Sequence, residues 1–214
     1  VISTLLDFFL GLAIDGETRV KRRKLYLAIS IVINIGILGF FKYYNFFAES
    51  FVDAFQFFGN SISSSSLDII LPVGISFYTF QTLSYSIDIY RQKLEPTKDF
   101  LAFSAFVCFF PQLVAGPIER AQNLLPQLIK KRFFNRSQAI DGLKLMLWGL
   151  FKKVVIADSL APMVDDIFVN YQTYPASTLA FGAILFAFQI YGDFSGYSDI
   201  AIGTAKLFGI ELMS

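Results

Sequence analysis

The sequence predicts an all-α protein embedded in a membrane. It reads as a polytopic helical bundle with one re-entrant segment, and residues 1–214 form a single transmembrane domain. Three observations carry this. Hydrophobic residues make up 55% of the chain and charged residues only 16%, against about 25% charged in an ordinary soluble domain. Apolar runs near the length needed to cross a bilayer, about 20 residues, recur along the chain. The loops between them sort by charge, basic on one side and acidic on the other, and the basic side is cytoplasmic by the positive-inside rule.

Composition also excludes function classes. The formal net charge is +1, so there is no basic footprint for nucleic acid, and the expected surroundings are the lipid bilayer. Histidine is absent, which removes any histidine triad, histidine base or histidine metal ligand from these residues. The lone cysteine, Cys108, has no internal disulfide partner and makes no metal site by itself. It is expected to be a small packed residue.

Val1–Ile14 is apolar but too short to span, and Ser214 follows closely on another apolar run. Both ends therefore read as truncated, and the chain as an internal piece of a longer protein. Asp15–Lys24 carries Arg19, Lys21, Arg22, Arg23 and Lys24 and reads as a cytoplasmic loop. Leu25–Phe47 is a span ending in the aromatic cluster FFKYYNFF, an interfacial anchor from which Lys42 snorkels. Ala48–Ser66 has acids and no basic residue, so it belongs outside, with 51–58 lying along the interface.

Leu67–Tyr90 spans back, with Pro72 and Gly74 placed to kink or break it. Ser76, Thr79, Gln81, Thr82, Ser84 and Ser86 make it too polar for lipid, so it packs inside the bundle or borders a cavity. Asp88 and Arg91 stand three apart and suit a pair on one face. Phe100–Ala115 is apolar but only 16 residues long, ends in PQLVAGP with Pro111, Gly116 and Pro117, and is flanked by basic residues on both sides. A full crossing would put one basic flank outside, so a re-entrant path is favoured. Ile118–Asn135 reads as an amphipathic surface helix, kinked or divided at Pro126.

Gln138–Leu160 is an apolar helix capped by Ser137, with Lys152 and Lys153 in its middle. Two adjacent lysines diverge by roughly 100° and cannot both snorkel to one side. Either this helix lies partly in the cytoplasmic interface, or one lysine binds an anionic group such as a carrier phosphate. Asp158–Pro175 carries three acids and no basic residue, and reads as an outer loop with short helical pieces.

Ala176–Leu207 returns through QIYGDFSGYSDIAIGTAKL. At roughly 100° per residue, Gly192, Gly196, Asp199 and Gly203 share a face about 60° wide. Small residues so placed let two membrane helices approach closely. Asp193 and Asp199 are intramembrane acids, which are either functional candidates or partners of a neighbouring helix.

Five blocks appear in order: FFKYYNFF (Phe40–Phe47), LPVGISFYTFQTLSYSIDIYR (Leu71–Arg91), FFPQLVAGPIERA (Phe109–Ala121), GLFKKVVIAD (Gly149–Asp158) and YGDFSGYSDIAIG (Tyr191–Gly203). Together they resemble the bacterial membrane-bound O-acyltransferase (MBOAT) family, in its alginate O-acetyltransferase-like branch. PQLVAGPIER and GLFKKVVIAD favour that branch over the related D-alanyl-transferring one. The resemblance implies a multi-pass enzyme of the bacterial cytoplasmic membrane. It implies transfer of acetyl from a thioester such as acetyl-CoA, a donor substrate with no bound cofactor, to hydroxyls of an exported polysaccharide. It also implies periplasmic or extracellular partner proteins that complete the transfer.

The family's catalytic histidine and a second functional histidine lie downstream of the YGDFSGYSDIAIG block. With no histidine before Ser214, no catalytic residue carries over, and residues 1–214 alone are expected to be inactive. Acyl transfer to a hydroxyl needs a base and oxyanion donors. Asp193 or Asp199 would orient a base supplied from beyond Ser214, and Lys152 or Lys153 would attract the donor's phosphates. The glycine face of Ala176–Leu207 would serve mainly as a packing wall, with Asp199 the residue best placed to communicate with what packs there. On physics alone, a transporter or flippase also suits broken helices and buried charges, and a non-catalytic scaffold subunit is the third reading.

Overall fold

The computed structural model describes residues 2–57, 72–114 and 116–213. The Ser-rich end of the expected outer loop and the beginning of the second expected span fall within 58–71, outside the described residues. Among the described residues all regular structure is helical. The chain divides into two compact units, Val1–Cys108 with Arg120–Gln122 and Phe109–Glu119 with Asn123–Ser214.

The first unit holds α1 (Ile2–Gly16), α2 (Val20–Phe57), α3 (Ile75–Tyr90) and α4 (Phe100–Val107). Helix α2 is longer than the sequence reading allows at both ends. The basic stretch 21–24 is its first turn rather than a loop, and residues 48–57 continue it. Lys and Arg are good helix formers, and no proline interrupts 20–57. Arg23 is structural rather than merely solvated. Its guanidinium donates to the carbonyls of Ile14 at 3.1 Å and Tyr90 at 3.0 Å, satisfying orphan acceptors at the C-terminal ends of α1 and α3.

Helix α3 begins only at Ile75. Residues 72–74 precede it without helical structure, and Gly74 sits at the N-cap with φ 76°, a conformation glycine adopts without steric cost. The polar side of α3 faces inward as expected, with Thr79, Gln81, Thr82 and Ser86 all buried. The expected Asp88–Arg91 pair does not form. Asp88 is buried with Oδ2 unpartnered, while Arg91, as the C-cap residue, lies exposed where the helix ends.

Buried among α1, α2 and α3 is an acid that the sequence reading passed over. Asp7 accepts from Ser30 Oγ at 2.7 Å and from Asn34 Nδ2 at 2.8 Å, and Ser30 also bonds Ser86 Oγ at 3.1 Å. Ring packing of Tyr85 on Phe103, 4.7 Å between centroids, joins α3 to α4. Asp99 caps α4, its carboxylate accepting from the Leu101 and Ala102 N–H groups. Eight residues rise only about 12 Å, far short of a hydrocarbon core of about 30 Å. Cys108, expected to be packed, is exposed where α4 ends.

The second unit holds a 3-10 turn (Phe110–Gln112), α5 (Ala121–Ile129), α6 (Arg136–Phe151), a π-helical segment (Lys152–Ala157), α7 (Asp158–Val169) and α8 (Ala176–Leu207). The expected surface helix over 118–135 is confined to α5. It passes through Pro126, buries Leu124 and Leu125, and leaves Ile129 exposed. Asn135, not Ser137, caps α6, accepting from the Ser137 and Gln138 N–H groups. Residues 158–169, within the stretch expected as a loop with short helical pieces, form the 12-residue helix α7. Among the described residues, two helical stretches are long and apolar enough to cross a membrane, Val20–Val52 and Ala176–Leu207.

Helices α6 and α8 meet backbone to backbone. A Cβ added at Gly203 would stand 2.5 Å from the Gly142 carbonyl oxygen, and one at Gly196 2.8 Å from that of Gly149. At Gly192 it would meet the Lys152 carbonyl oxygen at 3.1 Å. The glycine face of α8 is thus a packing seam. Its counterpart, Gly142 and Gly149 on α6, is spaced at seven residues. Gly203→Val in the full-length protein should cost on the order of 1–3 kcal/mol by overpacking and lower its melting temperature in detergent. Gly36→Ala, where a Cβ meets nothing within 4 Å, should leave melting unchanged or raise it slightly. Equal melting of Gly203→Val and wild type would contradict the seam.

Candidate functional site

The second unit brings all four sequence-predicted residues together. On an ideal helix Gly192, Gly196 and Gly203 point one way, Asp193 lies about 80° to one side, and Asp199 and Ser195 lie about 40° and 80° to the other. The acids of α8 therefore straddle the seam. Facing them are the adjacent lysines Lys152 and Lys153, at the start of the π-helical segment. A π turn widens the helix by one residue per hydrogen-bonded ring. Here the two lysines go to opposite sides of the same partner helix.

Lys152 Nζ lies 2.5 Å from Asp199 Oδ2 and also donates to Ser195 Oγ. Its side chain is 8% exposed and that of Asp199 19%. A charge so enclosed requires a matched partner, because desolvation of either ion alone costs several kcal/mol. Lys153 Nζ lies 2.6 Å from both Asp158 Oδ1 and Asp193 Oδ1, with all three side chains about half exposed. Beside this second pairing opens a hollow of about 200 Å³ lined by Lys153, Asp193, Phe194, Tyr197 and Ile200.

Each lysine is thus matched by carboxylate, and an incoming anion would have to displace one. The chemistry on offer is a polar cluster of two lysines and three aspartates beside an aromatic-walled hollow. Ser195 and Asp158 complete it, and the sequence reading did not place them there. For Asp158 a signal was available, since it stands five residues after Lys153. Ser195 gave none, as its role depends on the side of α8 that faces Lys152.

Elsewhere in the second unit, Glu119 is fully buried. It accepts from Asn123 Nδ2 at 2.9 Å and from the Met213 N–H. Gln127 clasps the Glu211 backbone, donating to its carbonyl at 2.9 Å and accepting from its N–H at 2.8 Å. These bonds fasten the stretch after α8 to α5. Gln112, in the 3-10 turn, is buried with both amide atoms unpartnered.

Lys152→Met or Asp199→Leu alone should destabilise the full-length protein by about 3 kcal/mol, because each leaves an enclosed charge unmatched. The double variant Lys152→Met/Asp199→Leu should recover most of the loss. A thermal-denaturation cycle with strictly additive effects would show that the pair does not couple.

No protein-family profile matches the chain. Individual relatives do match along nearly its whole length. The chain is 37% identical over 98% of its residues to a probable alginate O-acetylase AlgI of Pseudomonas aeruginosa. It is 38% identical over 98% to the protein of that name in Azotobacter vinelandii. A peptidoglycan O-acetyltransferase of Helicobacter pylori is 34% identical, again over 98% of the chain. The chain spans 40%, 42% and 44% of the length of these three relatives. The chain, all-helical among the described residues, is thus similar over nearly its whole length to O-acetylases of the membrane-bound O-acyltransferase type, in the alginate O-acetyltransferase-like branch.

Proposed function

We propose that the chain is part of a multi-pass O-acetyltransferase of the bacterial cytoplasmic membrane, with residues 1–214 contributing to one transmembrane domain. It passes acetyl from an acyl thioester donor such as acetyl-CoA toward hydroxyls of an exported polysaccharide such as alginate. The observation that supports this best is the match, over 98% of the chain, to proteins named for O-acetylating two different glycans. Their shared chemistry is ester formation between acetyl and a sugar hydroxyl. The acceptor differs between them, so the class of reaction is carried more strongly than the polymer.

The base that takes the hydroxyl proton is the histidine that the family resemblance places downstream of this stretch. Lys152 and Asp199 hold α8 against α6, and so fix the wall on which that histidine's helix packs. Asp193, beside the hollow and tied to Lys153, is the acid best placed to orient a group entering from that side. Donor phosphates are less suited to Lys152, whose ammonium is already neutralised. Extracellular-side partner proteins complete delivery to the polymer.

The test uses the full-length protein in its own cells with its own partners. Deleting the gene should remove base-labile acetyl esters from the exported polysaccharide, and membranes fed with radiolabelled acetyl-CoA should lose transfer of label. Asp193→Asn should reduce turnover while preserving the amount of folded protein. Unchanged acetylation on deletion, with polymer export lost instead, would favour a transporter and contradict the proposal.

A further inference from the structure

Between α5 and α6 the chain is neither helical nor apolar. Residues 130–136 read KKRFFNR, and no acid occurs from 120 to 140. Two features there are not explained by the fold. Phe133 and Phe134 are 77% and 81% exposed. Lys130, Lys131, Arg136 and the nearby Lys206 have no carboxylate partner among the described residues. Every other lysine of α6 and the π-helical segment does. Arg136 stands in the first turn of α6, where the helix dipole disfavours a cation.

The segment is held in place rather than loose. Arg132 donates to the Gln127 carbonyl at 2.7 Å, capping the end of α5. Its stem packs over Gly209, which at φ 69° lets the chain turn away from the end of α8. Lys131 lies 5.4 Å from the centre of the Phe133 ring. Arg132 to Asn135 and Lys206 to Gly209 line one hollow of about 170 Å³. Helix α8 is long and apolar enough to span and ends at Leu207, so this hollow lies at the level where a membrane crossing stops.

We propose that this basic–aromatic segment is a docking site for anionic phospholipid headgroups. Phe133 and Phe134 enter the boundary between headgroups and acyl chains. Lys130, Lys131, Arg136 and Lys206 hold the phosphates, with the N-terminal end of α6 adding its own attraction for an anion. The occupant follows from charge complementarity. Exposed phenyl rings alone would suit any apolar partner, but unpaired cations at a span's end select a surface that is apolar within and anionic at its rim. The site is independent of acetyl transfer.

The full-length protein carries an environment-sensitive fluorophore at Phe134→Cys, with its other cysteines, Cys108 included, replaced. It is placed in nanodiscs of phosphatidylcholine with and without phosphatidylglycerol. The fluorophore should shift to the blue and be quenched by shallow spin-labelled lipid more strongly when phosphatidylglycerol is present. Lys130→Gln/Lys131→Gln/Arg136→Gln, or high salt, should abolish the difference. Hydrogen exchange over 130–135 in the unmodified protein should slow in the anionic discs, which checks the site without a label. Equal quenching and equal exchange in both lipids would overturn the proposal. So would reproduction of the anionic-lipid effect by inorganic phosphate in phosphatidylcholine discs, which would assign the site to a soluble anion.

Discussion

A charged ammonium cannot be left among apolar helices without a counter-ion, and this constraint organises the second unit. Lys152 is almost wholly enclosed, and removing such a cation from water costs far more than any single packing contact returns. The partner has to be close and fixed. Asp199 meets that demand only because α6 and α8 approach through glycines, with Gly149 against Gly196 and Gly142 against Gly203. A side chain at any of those positions would push the helices apart and lengthen the ion pair. Charge pairing and glycine packing are therefore one device, and the π-helical turn lets the neighbouring Lys153 share it from the other side of the seam.

This arrangement also accounts for the order of the sequence. The motif that carries two lysines and the motif that carries glycines and two acids are some forty residues apart, yet they form one contact. The cluster is positional in character. It contains no histidine and no free nucleophile beyond the Ser195 hydroxyl, which is already bonded to Lys152. What it offers is an ion-paired wall of two lysines and three aspartates with a hollow beside it.

Much of this was legible in the sequence. The glycine face of α8 and the inward polar face of α3 follow from helical periodicity, because a regular repeat reports which residues share a side. The four charged candidates were legible because charge in an apolar run demands an explanation. What was not legible depends on partners distant in sequence. Nothing near Lys152 says that its counter-ion stands on α8 rather than on a bound ligand. The extension of α2 into its basic stretch was missed because loops were assigned by charge, and lysine and arginine propagate a helix as readily as they solvate a loop. Asp7 was missed although the rule applied to Asp193 covers it equally; Ser30 and Asn34, one turn apart on α2, were the available clue. Cys108 was assigned to the interior because its neighbours are apolar, and the end of α4 turns it outward.

The most direct measurement is an experimental structure of the full-length protein in a lipid nanodisc, at a resolution that shows side chains. The account predicts Gly142 and Gly149 against Gly203 and Gly196, with Lys152 Nζ within hydrogen-bond distance of Asp199 and Ser195. It also predicts Lys153 shared between Asp158 and Asp193. A map in which α6 and α8 stand apart, or in which Lys152 turns from Asp199 to a phosphate of the acyl donor, would contradict it.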